Sequence, residues 1–422
     1  MHPAPSRCGH ARPLDSARET SGCDWTKIME AREYMKRRDV IVIGGGAIGL
    51  AIAFYLRSHV KACDVCVIEK DTSYTQASTP RASGGARRLF STPENIMMSE
   101  YSIRKFATFD NDMKVDNDPF SISWRQQGYL FIMPHRAVRI LSRNFETQQK
   151  LGVEVEFLDQ KALKAKFPSM KTDDLGGAAY SPGDGWMDPN SVLQGYRRKC
   201  KALGVTLLSA EVTSIDHDNV KAKAVILSDG RRIEADYIVN ATGAWAKDVC
   251  AMVGMAVPIE PMKRYEHQWE TPDPIEPLPY VKDLDRLAFR PEGTGYSGGV
   301  PSTNQPRGFD FDVDYNYFDS VVWPALAYRF PAFEQIRHLN TWAGLYDQNE
   351  LDSNPIIGPW TGKMENFIVA AGYSGHGLMH APATGRAIAE LILDGGYQTI
   401  DLSRLGYQRI PKMEPVAEEG IV

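Results

Sequence analysis

The chain is poor in cysteine, with six in 422 residues. That is too few for a disulfide framework and suits a reducing compartment. Cys63 and Cys66 do form a C-x-x-C. It precedes and enters an apolar strand instead of sitting at the helix N-terminus that lowers a thiol pKa, which argues against a redox pair or a metal site. Long apolar runs are missing, and no stretch approaches the length of a membrane-spanning helix. An excess of one charge sign is missing too. With 48 Lys and Arg against 53 Asp and Glu, the net charge of −5 offers no footprint for nucleic acid or an anionic membrane. The first 37 residues lack the apolar segment of a secretory signal. Their Asp15, Glu19, Asp24, Glu30 and Glu33 are out of place in a mitochondrial transit peptide. They read as an extension outside the fold, with Met35 an alternative start.

What remains is an ordinary globular composition, long enough for two intimately joined domains. Its organising stretch is residues 39–56. Val40 to Ile43 form a β-branched run suited to a strand buried on both faces, and Gly44, Gly46 and Gly49 follow in G-x-G-x-x-G order. An apolar helical pattern then runs through Ile48, Ala51, Ile52 and Tyr55. In that order Gly44 permits the tight turn, Gly46 lets backbone approach a pyrophosphate and Gly49 lets helix and strand pack closely. A second apolar strand from Val65 ends in Glu69, 20 residues past Gly49. A carboxylate there accepts from ribose hydroxyls and disfavours a 2′-phosphate, so the site suits FAD or NAD over NADP.

The polar loop over residues 71–88 returns from that strand toward the nucleotide. It offers the hydroxyls of Ser78 and Thr79 to a diphosphate, and Ser83 and Gly84 to a flat ring. Helices are expected at about 96–109, 137–151, 191–203 and 383–393, and a hairpin turns at Asp229-Gly230. Residues 237–240 read as a buried strand running into the small-residue turn Ala241-Thr242-Gly243. Residues 372–377 form a second glycine-rich loop before a helix. Prolines, aromatics and strand-like segments over 258–337 suggest an inserted second domain over the nucleotide.

Gly44 to Gly49, Glu69, Ser78 to Gly85, Ala241 to Gly243 and Gly372 to Gly377, taken in order, resemble the FAD-dependent D-amino-acid oxidase superfamily, in its sarcosine oxidase and dimethylglycine dehydrogenase branch. The resemblance covers roughly residues 38–410. It implies an α/β FAD-binding domain, Rossmann-like and doubly wound, with an interleaved α+β substrate domain built on an antiparallel sheet. The FAD-binding part would comprise 38–115, 181–255 and 340–410, and the substrate part 116–180 and 256–339, with 411–422 a tail. Gly44, Gly46 and Gly49 would hold the diphosphate, and Glu69, with Lys70 beside it, the adenosine ribose. Ser78, Thr79, Val212, Ala241 and Gly243 would flank the nucleotide. Ser83 and Gly84 would lie near the flavin, and Gly375, His376, Gly377 and Leu378 would offer N–H groups to its pyrimidine end.

Departures from the family pattern shape the functional expectation. The position of the flavin-linking cysteine is taken approximately by Gly344, and Arg81 stands near that of a flavin-linking histidine, so the FAD should be non-covalent. Met379 replaces a carboxylate-binding lysine, and the lysine that primes oxygen is replaced near Ser297. The expected activity is oxidation of a CH–NH bond in a secondary or N-methylated amino acid, by hydride transfer to FAD. Arg87, Arg88, Lys263, Arg264 and Arg290 are the candidate carboxylate anchors, and Tyr346 and His376 are candidates to line the flavin face. The electron acceptor would be dioxygen, a carrier protein or a quinone. The alternative is a flavoprotein assisting assembly of a respiratory complex, with that complex's subunits as partners. Bacterial cytoplasm is the expected compartment and the mitochondrial matrix the alternative.

Overall fold

The computed structural model describes residues 36–420 apart from 274, 285–286 and 303–304. All but the last two residues of the expected N-terminal extension therefore lie outside the described residues.

The apolar run at Val40 to Ile43 becomes the strand Arg38–Ile43 at the centre of an eight-stranded sheet. Its side chains alternate. Val40 and Val42 pack under the helices Ala47–Ser58 and Gly377–Leu393, while Ile41 and Ile43 enter a second core with Val249, Phe367 and Val369. Burial on both faces is why the run is continuously apolar. The strand pairs in parallel with Val65–Glu69 on one side and Arg232–Asn240 on the other. These pair in parallel with Thr206–Ser209 and Met364–Ala371 respectively. Ile356–Trp360 closes one edge antiparallel, and the strands Val212–His217 and Ala222–Leu227 attach to the first half of Arg232–Asn240.

The expected helices form as Pro93–Asp112, Val138–Lys150 and Pro189–Ala202. Proline opens the first and third, and the Asp188 carboxylate caps the third by accepting from Ser191 N at 2.6 Å. The last helix starts at Gly377, earlier than the expected 383, and carries Pro382 inside it. As the sixth residue, Pro382 forgoes the bond its N–H would have made to Leu378 O, and burial of Met379, Ala381 and Ala383 offsets that loss and carries the helix across it.

The second eight-stranded sheet runs Arg337–Asn349, Ile259–Glu270, Gly295–Gly299, Ala288–Glu292, Tyr280–Asp283, Tyr129–Pro134, Leu175–Ser181, Glu156–Leu158. It departs from an all-antiparallel sheet at one pairing, Tyr280–Asp283 with Tyr129–Pro134, which is parallel. Those strands come from separate excursions of the chain, so no hairpin dictates their direction. Residues 340–349, expected with the FAD-binding part, belong to this second sheet. They pair antiparallel along the length of Ile259–Glu270. One face of the sheet buries Trp269, Phe289, Phe318, Phe330 and Phe333; the other supplies side chains to the cavity described next.

A cavity for cofactor and substrate

Two sheets and the loops between them enclose a cavity of about 810 Å³. At one end lies the glycine turn. Gly44 adopts φ +100°, and a Cβ there would meet Ala241 O at 2.5 Å; a Cβ on Gly49 would meet Gly44 O at 1.9 Å. Both glycines are required by the protein's own packing. Gly46 differs, since its nearest neighbour would be Thr79 Oγ1 at 3.6 Å, so the space over it is left for something outside the chain. Gly46 precedes the helix Ala47–Ser58, whose first N–H, that of Ala47, donates to Thr79 Oγ1 at 3.2 Å. Glu69 ends its strand beside this turn and accepts from Gly45 N at 2.7 Å and Asp71 N at 2.8 Å. Each carboxylate oxygen keeps a lone pair for a ribose hydroxyl. Lys70 Nζ lies 4.2 Å from the Trp245 ring centroid, and Phe309 stacks on the same ring at 5.0 Å.

Lys70, Ser78, Thr79, Ser83, Gly84, Val212, Ala241, Gly243, Gly375, His376, Gly377 and Leu378 line the same cavity as Gly44, Gly46 and Glu69. Gly49 stands behind the wall, packed on Gly44. The Ser78 hydroxyl donates to Leu345 O at 2.6 Å, so it ties the first loop to the second sheet. Gly84, at φ +81°, presses against Met187 O. The Gly372 loop is pinned likewise: Gly372 N donates to the Asp347 carboxylate at 2.7 Å and Asn349 N to Ser374 Oγ at 2.9 Å. Burial raises the Asp347 carboxyl to about 6 against four backbone donors that lower it.

The other end is aromatic and carries opposite charges. Arg87 is 1% exposed. It donates to Leu89 O at 2.7 Å and to His376 Nε2 at 3.3 Å, and its guanidinium lies 3.9 Å from the Phe90 centroid. Among the described residues no carboxylate pairs with it. Because an arginine only donates, His376 Nε2 accepts and its Nδ1 carries the proton. That Nδ1 is buried without a partner. Burial and the Arg87 charge hold His376 well below its ordinary pKa, so it is neutral. Tyr129 and Tyr280 stack at 4.3 Å with 7° between planes, and Tyr280 OH donates to Ser83 Oγ at 3.1 Å.

Of the candidate side chains, Arg87, Tyr346 and His376 line this end, as does Arg264, 5.0 Å from the Tyr346 centroid. Lys263, Arg290 and Arg88 do not. On the strand Ile259–Glu270, Met262, Arg264 and Glu266 line the cavity, so the two-residue alternation sends Lys263 away to Asp310 and Asp312 O. Arg290 is spent on Ser83 O at 2.5 Å and on Glu292, and Arg88 on Glu100 at 2.8 Å. Glu266, Tyr129, Tyr280 and Asp347 escaped the sequence reading. The one available signal was strand alternation placing Glu266 beside Arg264.

A model of the DAO family, described as FAD dependent oxidoreductase, matches residues 39–391. The chain belongs to this family. It is 34% identical to FAD-dependent oxidoreductase domain-containing protein 1 of Xenopus laevis, covering 94% of this chain and 88% of the relative. Mitochondrial sarcosine dehydrogenase of Homo sapiens is 25% identical, covering 86% of this chain and 40% of that one. The crystal structure of L-proline dehydrogenase from P. horikoshii superposes with a TM-score of 0.79 at 30% identity, covering 90% of this chain and 99% of that one. The protein is thus an FAD-dependent oxidoreductase of a family whose neighbours are amino-acid oxidases and dehydrogenases. The open cradle over Gly46 and the unpartnered His376 Nδ1 at the opposite end fit a long dinucleotide. Gly344 lies against Arg81, its Cβ position 3.2 Å from that of Arg81, and no cysteine lines the cavity among the described residues. Nor is any helix of the described residues long and apolar enough to cross a membrane.

Proposed function

We propose that the protein oxidises the CH–NH bond of a secondary or N-methylated amino acid, sarcosine-like, with FAD held non-covalently. Arg87 carries this reading. A guanidinium does not shed its proton, and a buried cation with no direct ion pair, felt only at a distance by Glu418 and Asp184, is costly. A substrate carboxylate arriving in the cavity supplies that counter-ion, and bidentate geometry orients the substrate. His376 braces Arg87 from the cavity wall, and Tyr129, Tyr280 and Tyr346 form walls that exclude water. Bound FAD supplies the hydride acceptor; the chain supplies orientation and electrostatics. Two relatives named for secondary amino acids, sarcosine and L-proline, support the substrate class. Met379 lines the cavity without charge, which leaves the carboxylate to Arg87, with Arg264 and Lys282 as further cations on the wall.

The test is anaerobic mixing of FAD-loaded protein with sarcosine, L-proline, dimethylglycine and D-amino acids. Bleaching of the flavin absorbance by a secondary amino acid is expected, and no bleaching across the panel overturns the proposal. Reoxidation by dioxygen, a carrier protein or a quinone then identifies the acceptor. Bacterial cytoplasm, or else the mitochondrial matrix, is the compartment we infer. A second reading, assistance in assembling a respiratory complex with little turnover, draws on the exposed Tyr315, Trp323, Tyr328 and Leu339. It predicts a stable protein partner and no bleaching.

A further inference from the structure

We infer that Glu266 is the cavity's receptor for the substrate's ammonium group, and that it takes one N–H proton before the adjacent C–H bond is oxidised. This rests on the amino-acid reading above and adds the group that recognises the amine.

Glu266 faces the cavity from the strand Ile259–Glu270. Its carboxylate accepts from a neutral donor, Ser297 Oγ, at 2.7 Å, and no Lys, Arg or His forms an ion pair with it among the described residues. Of the cations nearby, Arg290 is committed to Ser83 O and Glu292 and Lys263 to Asp310, while Arg264 lines the cavity two residues away on the same strand and donates to Lys263 O and Ser302 O. The groups that act on Glu266 or feel its charge are Arg290 and Glu292 from the neighbouring strand, together with Tyr280 and Tyr346. Tyr280 stacks on Tyr129, whose centroid lies 6.0 Å from the Arg87 guanidinium. A buried cation and a carboxylate thus address the same tyrosine pair, matching the two charges of an amino-acid zwitterion. Burial raises the Glu266 carboxyl to about 7, so it exchanges protons near neutrality. In the step itself an ammonium N–H bond breaks, an O–H bond forms on Glu266, and the electron pair stays on nitrogen as the free amine. No other reactant is needed.

The test compares FAD-loaded wild type, Glu266→Gln and Glu266→Asp, each checked for flavin content. Two probes are titrated by perturbation or reduction of the flavin spectrum under anaerobic conditions. Sarcosine carries both charges; (methylthio)acetate keeps the carboxylate but has sulfur in place of NH. Glu266→Gln should weaken sarcosine at least tenfold while changing (methylthio)acetate by less than twofold, and Glu266→Asp should restore part of the sarcosine affinity. Equal loss of both probes, or unchanged sarcosine affinity, overturns the receptor. If sarcosine binds in a Glu266-dependent way yet never bleaches the flavin, the receptor stands and the oxidation reading falls. If sarcosine bleaches the flavin equally in all three proteins, the oxidation reading stands and the receptor falls.

Discussion

Arg87 and His376 show a hydrogen bond setting a tautomer: burial and the Arg87 charge keep the imidazole neutral, and the donating guanidinium leaves its proton on Nδ1. If Arg87 meets the substrate carboxylate, Arg87→Gln should retain FAD but weaken sarcosine-like ligands and (methylthio)acetate alike. A charge-assisted bond of about 1.5–3 kcal/mol corresponds to roughly 10–150-fold in Kd, read by flavin titration. Glu266 sets the pH dependence. Its folded carboxyl sits near 7, above the ordinary carboxylate value, so it is protonated below that pH and ionised above it. A group that must accept a proton works in its ionised form, so the rate of flavin reduction should rise with pH through about 7. Glu266→Gln should remove that limb. Linkage has the opposite sign for stability: a carboxyl raised on folding contributes most at low pH and loses that contribution as pH rises from its unfolded value through about 7. Melting curves of the FAD-free protein at pH 5 and pH 8 should therefore converge in Glu266→Gln relative to wild type. The sequence displayed Arg87 only as one of five arginines and lysines. Nothing along the chain distinguishes it from Lys263 or Arg290, because what separates them is which partners already occupy each one.

At the scale of elements, the glycine turn makes the sharpest contrast. Gly49→Ala would drive a Cβ to within 1.9 Å of Gly44 O, so the turn must deform and melting temperature should fall even without FAD. Gly46→Ala meets only Thr79 Oγ1 at 3.6 Å. It should leave the FAD-free protein's melting temperature unchanged and lower the bound flavin per chain. Equal melting temperatures for both FAD-free variants would contradict this division of labour. The strand, glycine turn and helix were legible because continuous apolar burial, a left-handed turn and a 3.6-residue period each leave a mark within a dozen residues. The start of the final helix was not, since Pro382 is a local stop signal and the burial that overrides it is tertiary.

Across the whole molecule, the described part of the tail packs against both a helix N-terminus and the cavity wall. Glu418 accepts from the backbone N–H of Ser91 at 2.6 Å and from Asn95 Nδ2 at 2.6 Å, and binds the Thr92 hydroxyl, at the N-terminus of the helix Pro93–Asp112. Ala417 and Glu418 also line the cavity. Removing such an N-terminal carboxylate, as in Glu418→Ala, should cost about 1–2 kcal/mol, read by urea unfolding of the FAD-loaded protein. An unchanged midpoint would assign the tail no structural weight. The sequence by itself determined the strand, glycine turn and helix, the carboxylate that ends the next strand and the presence of a second, inserted sheet, because each depends on spacing between near neighbours. Only the tertiary structure decided the edge of that sheet, the separation of Arg87 and Arg264, which line the cavity, from Arg88, Lys263 and Arg290, which do not, and the placing of Glu266 on the wall it shares with Tyr129 and Tyr280. Those outcomes turn on which face of a strand looks inward and which charges are already paired, and both are properties of residues brought together from distant parts of the chain.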